Sequence, residues 1–487
     1  MKKSFTKFYF GINLLIVFIL ICLCFRPVYG MDSYRQAQTN WPILNWIKGG
    51  FSPLNPEIPI RGENHLTWLL ELPAFQWIVY VISEFSGLRV DYASRLAALC
   101  LALLCLRIFH QTIQEISYAP NKWILIFCFN PYFIYWSTTG LIDWLAFYLG
   151  LQAAYTYSKF DRNTKLRTFF SFTFLLIALL VKLPLGISGF LLLIALRIFL
   201  MNSLGHSLKF CLKRFTSKTM IASIFITFAL TYSWQIWLRS LYPPGDPRNV
   251  WLVTSQTRYW YFGTSEQYQS VLNNLFFVLF RLVSDSAGPI LGIVILILLA
   301  YVFIKRPSFM ILFIPTFFYV AIFINLNLMH NYYQIPLYFS VLLFLILYSE
   351  DIKVRMPDIL KLKKYLSTFL LAVLVFLSLS LSYNAKSYIY SAMFAREKNE
   401  NCYPEILKKR VIYLGAVNPS LFYACNVTSL QVDLNSSDDL ELLSQESSHY
   451  RYLVIDSSVD FERIPEIFSN AGIKKFQFMR GSLYKIN

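Results

Sequence analysis

The chain has 487 residues, of which 56% are hydrophobic, 18% aromatic and only 15% charged. One soluble core does not need that much apolar side chain, so the composition excludes an ordinary soluble domain and indicates a polytopic membrane protein. A net charge of +17 would suit a nucleic-acid partner, but the basic residues gather in loops on one side of the expected spans, which excludes that reading and fixes orientation instead.

Spans need roughly 20 apolar residues. The apolar runs place about eleven of them, at 8–27, 93–113, 122–140, 141–158, 167–182, 184–200, 219–238, 286–304, 308–326, 331–349 and 365–384. Shorter apolar stretches at 73–86 and 268–283 carry acids or an Arg and read as helices lying in the interface. The basic clusters Lys159–Arg167, Lys209–Lys218, Lys305–Arg306 and Lys353–Lys364 fall on the same side as Lys2, Lys3 and Lys7. The positive-inside rule makes that side cytoplasmic. The amino terminus is then inside, and an odd number of spans puts the carboxyl tail outside. Segment 8–27 reads as a retained first span, since Arg26-Pro27 is unlike a small-residue cleavage site.

Residues 28–92 form the first outer loop, and this loop alternates acids, bases and aromatics where a plain linker would not. It holds Asp32, Arg35 and Glu71. Arg61, Glu63 and His65 read as its solvated part. Further on, Asp143 lies at the outer junction of the third and fourth spans. Lys182 lies where the fifth span ends and Pro184 breaks the helix. His330, Tyr332 and Tyr333 lie at the outer mouth of the tenth span. Ionisable groups at membrane depth are costly and face a cavity or a partner, so each is a functional candidate. The topology returns all of them to one extracytoplasmic face.

Each residue also has a structural reading. Asp32 suits an N-cap for a helix starting near Tyr34, Glu71 an interfacial helix facing water, Asp143 a pairing between spans, Lys182 snorkelling to headgroups, and His330 a hydrogen-bonded structural site. Cys22, Cys24, Cys100, Cys105, Cys128 and Cys211 lie in or beside spans as apolar filler. Cys402 and Cys425 are the pair in the outer tail, where an oxidising compartment would permit a disulfide.

The membrane domain runs over 1–384, and composition shifts for 385–487. There the runs RVIYLGAV, RYLVID and KKFQFM read as strands and DFERIPEIFSNAG as a helix, giving a small extracytoplasmic α/β domain. The fold class is thus an α-helical polytopic membrane protein with a small α/β appendage.

Several motifs, in order, resemble those of the GT-C membrane glycosyltransferases that use polyprenyl-phosphate sugars, the bacterial relatives of protein O-mannosyltransferases and of aminoarabinose transferases acting on lipid A. Asp32-Ser33 with Arg35 resembles the family's Asp-Glu-x-Arg/Tyr motif, with Ser33 in place of the second acid. Glu71-Leu72-Pro73 resembles Glu-Lys-Pro-Pro without its basic residue. VDYASRLAALCLALL is similar to the Arg-containing second span, and Asn130-Pro131 followed by Asp143 to an Asn-Pro…Asp pattern. LLVKLPLG resembles Thr-Lys-Gly-Pro, and HNYYQIPL closely resembles His-x-Tyr-Tyr-x-x-Pro. The resemblance implies an active site on the extracytoplasmic face, a polyprenyl-phosphate or pyrophosphate sugar donor, and an envelope glycan, lipid or protein acceptor. It implies an integral protein of the bacterial inner membrane. No cofactor is required in the family, although oligosaccharyl relatives bind a divalent ion.

Such a transfer breaks an anomeric C–O bond at an oxocarbenium-like centre. The acceptor hydroxyl needs a carboxylate to take its proton. Asp32 is the expected base, in a single inverting displacement, with Glu71 and Asp143 as alternatives or orienting groups. Arg35, Lys182, His330, Tyr332 and Tyr333 are expected to meet the donor phosphate. Two other functions compete: a lipid-linked glycan flippase, which would show internal repeats that the chain lacks, and an O-antigen ligase or polymerase, which would concentrate its site in a large late loop.

Overall fold

The computed structural model describes residues 14–25, 33–58, 66–67, 69–114, 131–158, 164–242, 289–323, 331–355, 410–414, 428–432, 452–455, 476–480 and 483–486. The chain divides into two compact units. One comprises Met1–Phe25, Leu70–Phe75 and Arg95–Phe394; the other comprises Arg26–Leu69, Gln76–Ser94 and Ala395–Asn487.

The helices in chain order are α1 (Leu14–Cys24), α2 (Ser33–Gly49), α3 (Ala74–Ser86), α4 (Val90–Gln114), α5 (Pro131–Ser137), α6 (Asp143–Ser158), α7 (Thr164–Ser203), α8 (Leu208–Phe215), α9 (Lys218–Ser240), α10 (Pro289–Lys305), α11 (Met310–Ile322) and α12 (Ile335–Arg355). Among the described residues, Val90–Gln114, Lys165–Ser203 and Lys218–Ser240 are each long and apolar enough to cross a membrane. Helix α3 takes the place of the expected interfacial helix at 73–86. Of the expected span 122–140 only α5 is described, and the expected helices at 268–283 and 365–384 lie outside the described residues.

Helix α7 is two helices joined at a turn. Its 40 residues would reach about 60 Å if straight, twice a hydrocarbon core of about 30 Å. Pro184 has no N–H for the carbonyl of Leu180 and disfavours a helical residue before it, and Lys182 leaves the helical region at φ −162° and ψ 97°. The chain therefore folds back. A Cβ on Gly186 would stand 2.9 Å from the Ala178 carbonyl, although eight residues of straight helix span about 12 Å.

Helix α6 packs against both arms of this hairpin. Ser171 in the first arm donates to the Ala153 carbonyl at 2.8 Å. In the second arm Gly186 and Gly189 meet the α6 backbone directly: a Cβ on Gly150 would collide with the Gly186 carbonyl, and one on Gly189 would stand 2.6 Å from the Phe147 carbonyl. Only glycine allows backbones this close. Helices α10 and α11 form a second bent pair, Gly292–Lys305 and Pro307–Ile322 turning by 120° around Pro307. Phe309 in that turn packs on Phe199 of α7, ring centroids 4.8 Å apart. Helix α9 is different, with Phe225, Ile226 and Tyr232 exposed, as suits a surface facing lipid.

In the second unit, α2 ends at Gly50, whose φ of 98° is open to glycine and lets its N–H cap the Trp46 carbonyl at 2.9 Å. A two-stranded ribbon, β1 (Glu57–Ile58) with β2 (Leu66–Thr67), follows. Asn45 donates to the Glu57 carbonyl at 2.9 Å, and Trp46, Phe51 and Tyr80 form an aromatic cluster, with Phe51 and Tyr80 stacked at 4.8 Å. The carboxyl-terminal region forms a five-stranded sheet of order β4-β3-β5-β7-β6. Its strands are β3 (Arg410–Leu414), β4 (Thr428–Val432), β5 (Tyr452–Ile455), β6 (Phe476–Arg480) and β7 (Leu483–Ile486). Strand β3 pairs parallel with β4 and β5, and β7 pairs antiparallel with β5 and β6. The three expected strands are present as β3, β5 and β6; β4 and β7 are additions. The expected helix there, and Cys402 and Cys425, lie outside the described residues.

The glycine contacts generate a test. Gly186→Leu should lower the melting temperature in detergent, since overpacking costs about 1–3 kcal/mol, whereas Gly49→Ala, with nothing within 4 Å of the added Cβ, should leave it near wild type. Equal melting temperatures for the two variants would contradict the close approach of the two arms of α7.

Candidate active site

The turn of the α7 hairpin brings together three of the expected residues, all in the first unit. Lys182 Nζ lies 3.0 Å from Asp143 Oδ1, with side chains only 2% and 1% exposed. Asp143 is the first residue of α6, where the helix dipole favours a carboxylate. Its Oδ2 has no hydrogen-bond partner among the described residues. On another side, Lys182 Nζ sits 4.7 Å from the centre of the Tyr333 ring, within range of a cation–π contact. Lys182 thus points inward to a carboxylate and a ring, not outward to headgroups.

Packing explains why these residues meet. Tyr333 occupies the 3₁₀ turn Asn331–Gln334 that leads into α12, and its carbonyl accepts from the Tyr319 hydroxyl of α11 at 2.7 Å. The first turn of α12 is wedged among aromatics: Tyr338 against Tyr132 of α5 at 5.2 Å, and Phe339 stacked on Phe147 of α6 at 5.3 Å and on Phe109 of α4 at 4.8 Å. Trp144 donates to the Trp136 carbonyl at 2.7 Å, which ties the start of α6 to the end of α5. Asp143 and Tyr333 are therefore delivered to Lys182 by one shared aromatic layer.

Glu71 comes to the same hairpin by a different route. The Leu72 N–H donates to the Leu180 carbonyl at 3.0 Å, the acceptor that Pro184 cannot serve. The Glu71-Leu72-Pro73 turn is thereby pinned two residues from Lys182, with Glu71 half-buried.

Asp32 and His330 lie outside the described residues, and of Tyr332 only the backbone is described. Helix α2 begins at Ser33, next to Asp32 and one residue before the expected start. In the second unit, half-buried Arg35 donates to Gln38 Oε1 at 2.9 Å. Sequence reasoning missed Tyr319, a tyrosine inside an apolar helix, whose only signal was its hydroxyl. It also missed the buried amides Gln36 and Asn40. Among the described residues no three His, Cys, Asp or Glu side chains gather as a metal-binding group.

Breaking a buried ion pair from one side leaves an uncompensated charge, at a cost of about 3–5 kcal/mol. Lys182→Met should therefore destabilise the protein, and adding Asp143→Leu should recover most of the loss. The check is thermal unfolding of both variants in detergent. A double variant no more stable than the single one would mean that the two charges do not compensate each other.

No protein-family model matches the chain, and no curated protein sequence matches it. Solved structures do. It is similar to ArnT from Cupriavidus metallidurans bound to undecaprenyl phosphate, with a TM-score of 0.54 and 11% identity over 100% of this chain and 98% of that one. The apo form of that protein gives a TM-score of 0.55 and 12% identity over 99% and 98%. At such identity the likeness is one of fold, and it extends over both chains nearly end to end. With its long apolar helices, the chain is an integral membrane protein that has the fold of ArnT.

Proposed function

We propose that the protein is a membrane glycosyltransferase that moves a sugar from a polyprenyl-phosphate donor to an envelope glycan, lipid or protein on the extracytoplasmic face of the bacterial inner membrane. The observation that carries this reading is Lys182, a buried ammonium held by Asp143 at 3.0 Å in a fold shared with a protein whose crystal structure holds undecaprenyl phosphate.

Charge explains the fit. A polyprenyl-phosphate sugar is a phosphodiester with one negative charge, and cleavage of its anomeric C–O bond leaves a phosphate monoester that carries a second. A cation beside that phosphate gains attraction as the bond breaks, so it favours the transition state over the bound donor. Lys182 takes this role. Its ammonium has three N–H donors, enough to keep Asp143 and engage a phosphate oxygen together. Asp143 and the Tyr333 ring hold the ammonium charged and aimed.

The acceptor hydroxyl attacks the anomeric carbon as its proton passes to Asp32, and the bonding pair of the C–O bond leaves with the phosphate. The products are the glycosylated acceptor, inverted at the anomeric carbon, and polyprenyl phosphate. Arg35, His330 and Tyr332 are further candidates for the donor phosphate, and Glu71 for orienting the site. The reaction needs no cofactor in this scheme.

Donor titrations test the role of Lys182. Lys182→Gln should lose donor affinity and Lys182→Arg recover part of it, because a phosphate needs a cation. Wild-type donor dependence in both variants would remove Lys182 from the phosphate site. Asp32→Asn should reduce transfer by membranes from expressing cells to below about a tenth of wild type, since a positioned base contributes about 10²–10⁴-fold. Higher residual activity would pass the base to Glu71 or Asp143.

A further inference from the structure

In α2 of the second unit one buried side chain has no structural employment. Asn40 is 0% exposed, and neither its Nδ2 nor its Oδ1 has a hydrogen-bond partner among the described residues. The other polar side chains of this helix are engaged: Thr39 with the Arg35 carbonyl at 2.9 Å, Arg35 with Gln38 at 2.9 Å, and Asn45 with the Glu57 carbonyl at 2.9 Å. Each unmatched buried group weakens the fold, so a leucine of similar size would serve it better. An amide kept where it weakens the fold calls for a use outside the fold.

We propose that Asn40 is a carbohydrate-binding residue whose amide receives a pair of sugar hydroxyls. The proposal rests on the glycosyltransferase reading above. An amide offers donors and an acceptor side by side, and vicinal sugar hydroxyls, each able to donate and accept, answer both at once. Gln36, four residues earlier and also buried, lies on the same face of the helix. That face leads back to the first turn of α2, which begins at Ser33, the residue after Asp32 in the sequence. A glycan lying along α2 meets Asn40 with its hydroxyls. Neither amide atom touches solvent in the present arrangement, so α2 shifts to admit the sugar, and the unmatched amide lowers the cost of that shift.

The test compares full-length wild type, Asn40→Leu and Asn40→Ala in detergent. Three measurements are made: melting temperature without substrate, binding of undecaprenyl phosphate, and transfer from the polyprenyl-phosphate sugar fraction of host membranes to an envelope extract, with donor and acceptor titrated separately. Asn40→Leu should melt at or above the wild-type temperature and bind undecaprenyl phosphate as wild type does. Its kcat/KM should fall by about tenfold or more, the equivalent of about 1.4 kcal/mol of lost hydrogen bonding. A rise in KM confined to the donor assigns Asn40 to the transferred sugar; one confined to the acceptor assigns it to an acceptor glycan. Asn40→Ala should show the same kinetic loss with a lower melting temperature from the cavity. A lower melting temperature for Asn40→Leu, or wild-type kcat/KM for both substrates, overturns the proposal alone. A wild-type protein that neither binds undecaprenyl phosphate nor transfers sugar overturns the glycosyltransferase reading, and this proposal with it.

Discussion

Removing an ammonium and a carboxylate from water costs several kcal/mol for each ion, and Lys182 and Asp143 sustain it because each is brought within 3.0 Å of the other. That requirement reaches far into the first unit. The hairpin must turn at Lys182, α6 must begin at Asp143, and the turn before α12 must place the Tyr333 ring 4.7 Å from the ammonium. The glycine contacts of α6 with α7 and the aromatic layer around Tyr338 and Phe339 provide the rigidity. An all-apolar core of the same shape would be as stable or more so. In the proposed function the pair is a charge kept dry until a phosphate arrives, when an ammonium in a low-dielectric setting acts more strongly than one in water.

Much of this was legible in the chain itself, because the bilayer imposes a simple grammar. Long helices follow from apolar runs, and the break in α7 from Pro184 two residues after a lysine that has no business in a plain span. Lys182, Asp143 and Tyr333 were each visible as polar residues at the same end of different spans. Their mutual pairing was not. Asp143 and Lys182 are separated by two helical arms, and which acid meets which base is decided by helix rotation, which a uniformly apolar sequence does not encode. The Tyr319 hydroxyl escaped for the same reason.

Elsewhere the signals were weaker. Strands β4, TSLQV, and β7, LYKI, are short and mixed in polarity. Their stability comes from neighbours, β4 from parallel pairing with β3 and β7 from lying between β5 and β6, and no local pattern announces that. The first outer loop looked continuous in sequence, yet residues 70–75 belong to one unit and the segments around them to the other. One backbone partner of that segment is the Leu180 carbonyl, which Pro184, four residues further on, leaves open.

The Leu72–Leu180 hydrogen bond makes residues 70–75 and the hairpin tip one mechanical element. A carbonyl that loses its helical donor to proline has to be answered, and here the answer comes from a segment about 110 residues earlier in the chain. Pulling residues 70–75 away would strand that carbonyl beside the ammonium; keeping them in place holds Leu180, and through it the backbone leading to Lys182. Whatever presses on the Glu71 turn is transmitted over two residues to the charged tip, so residues 70–75 act as a lever on the cation.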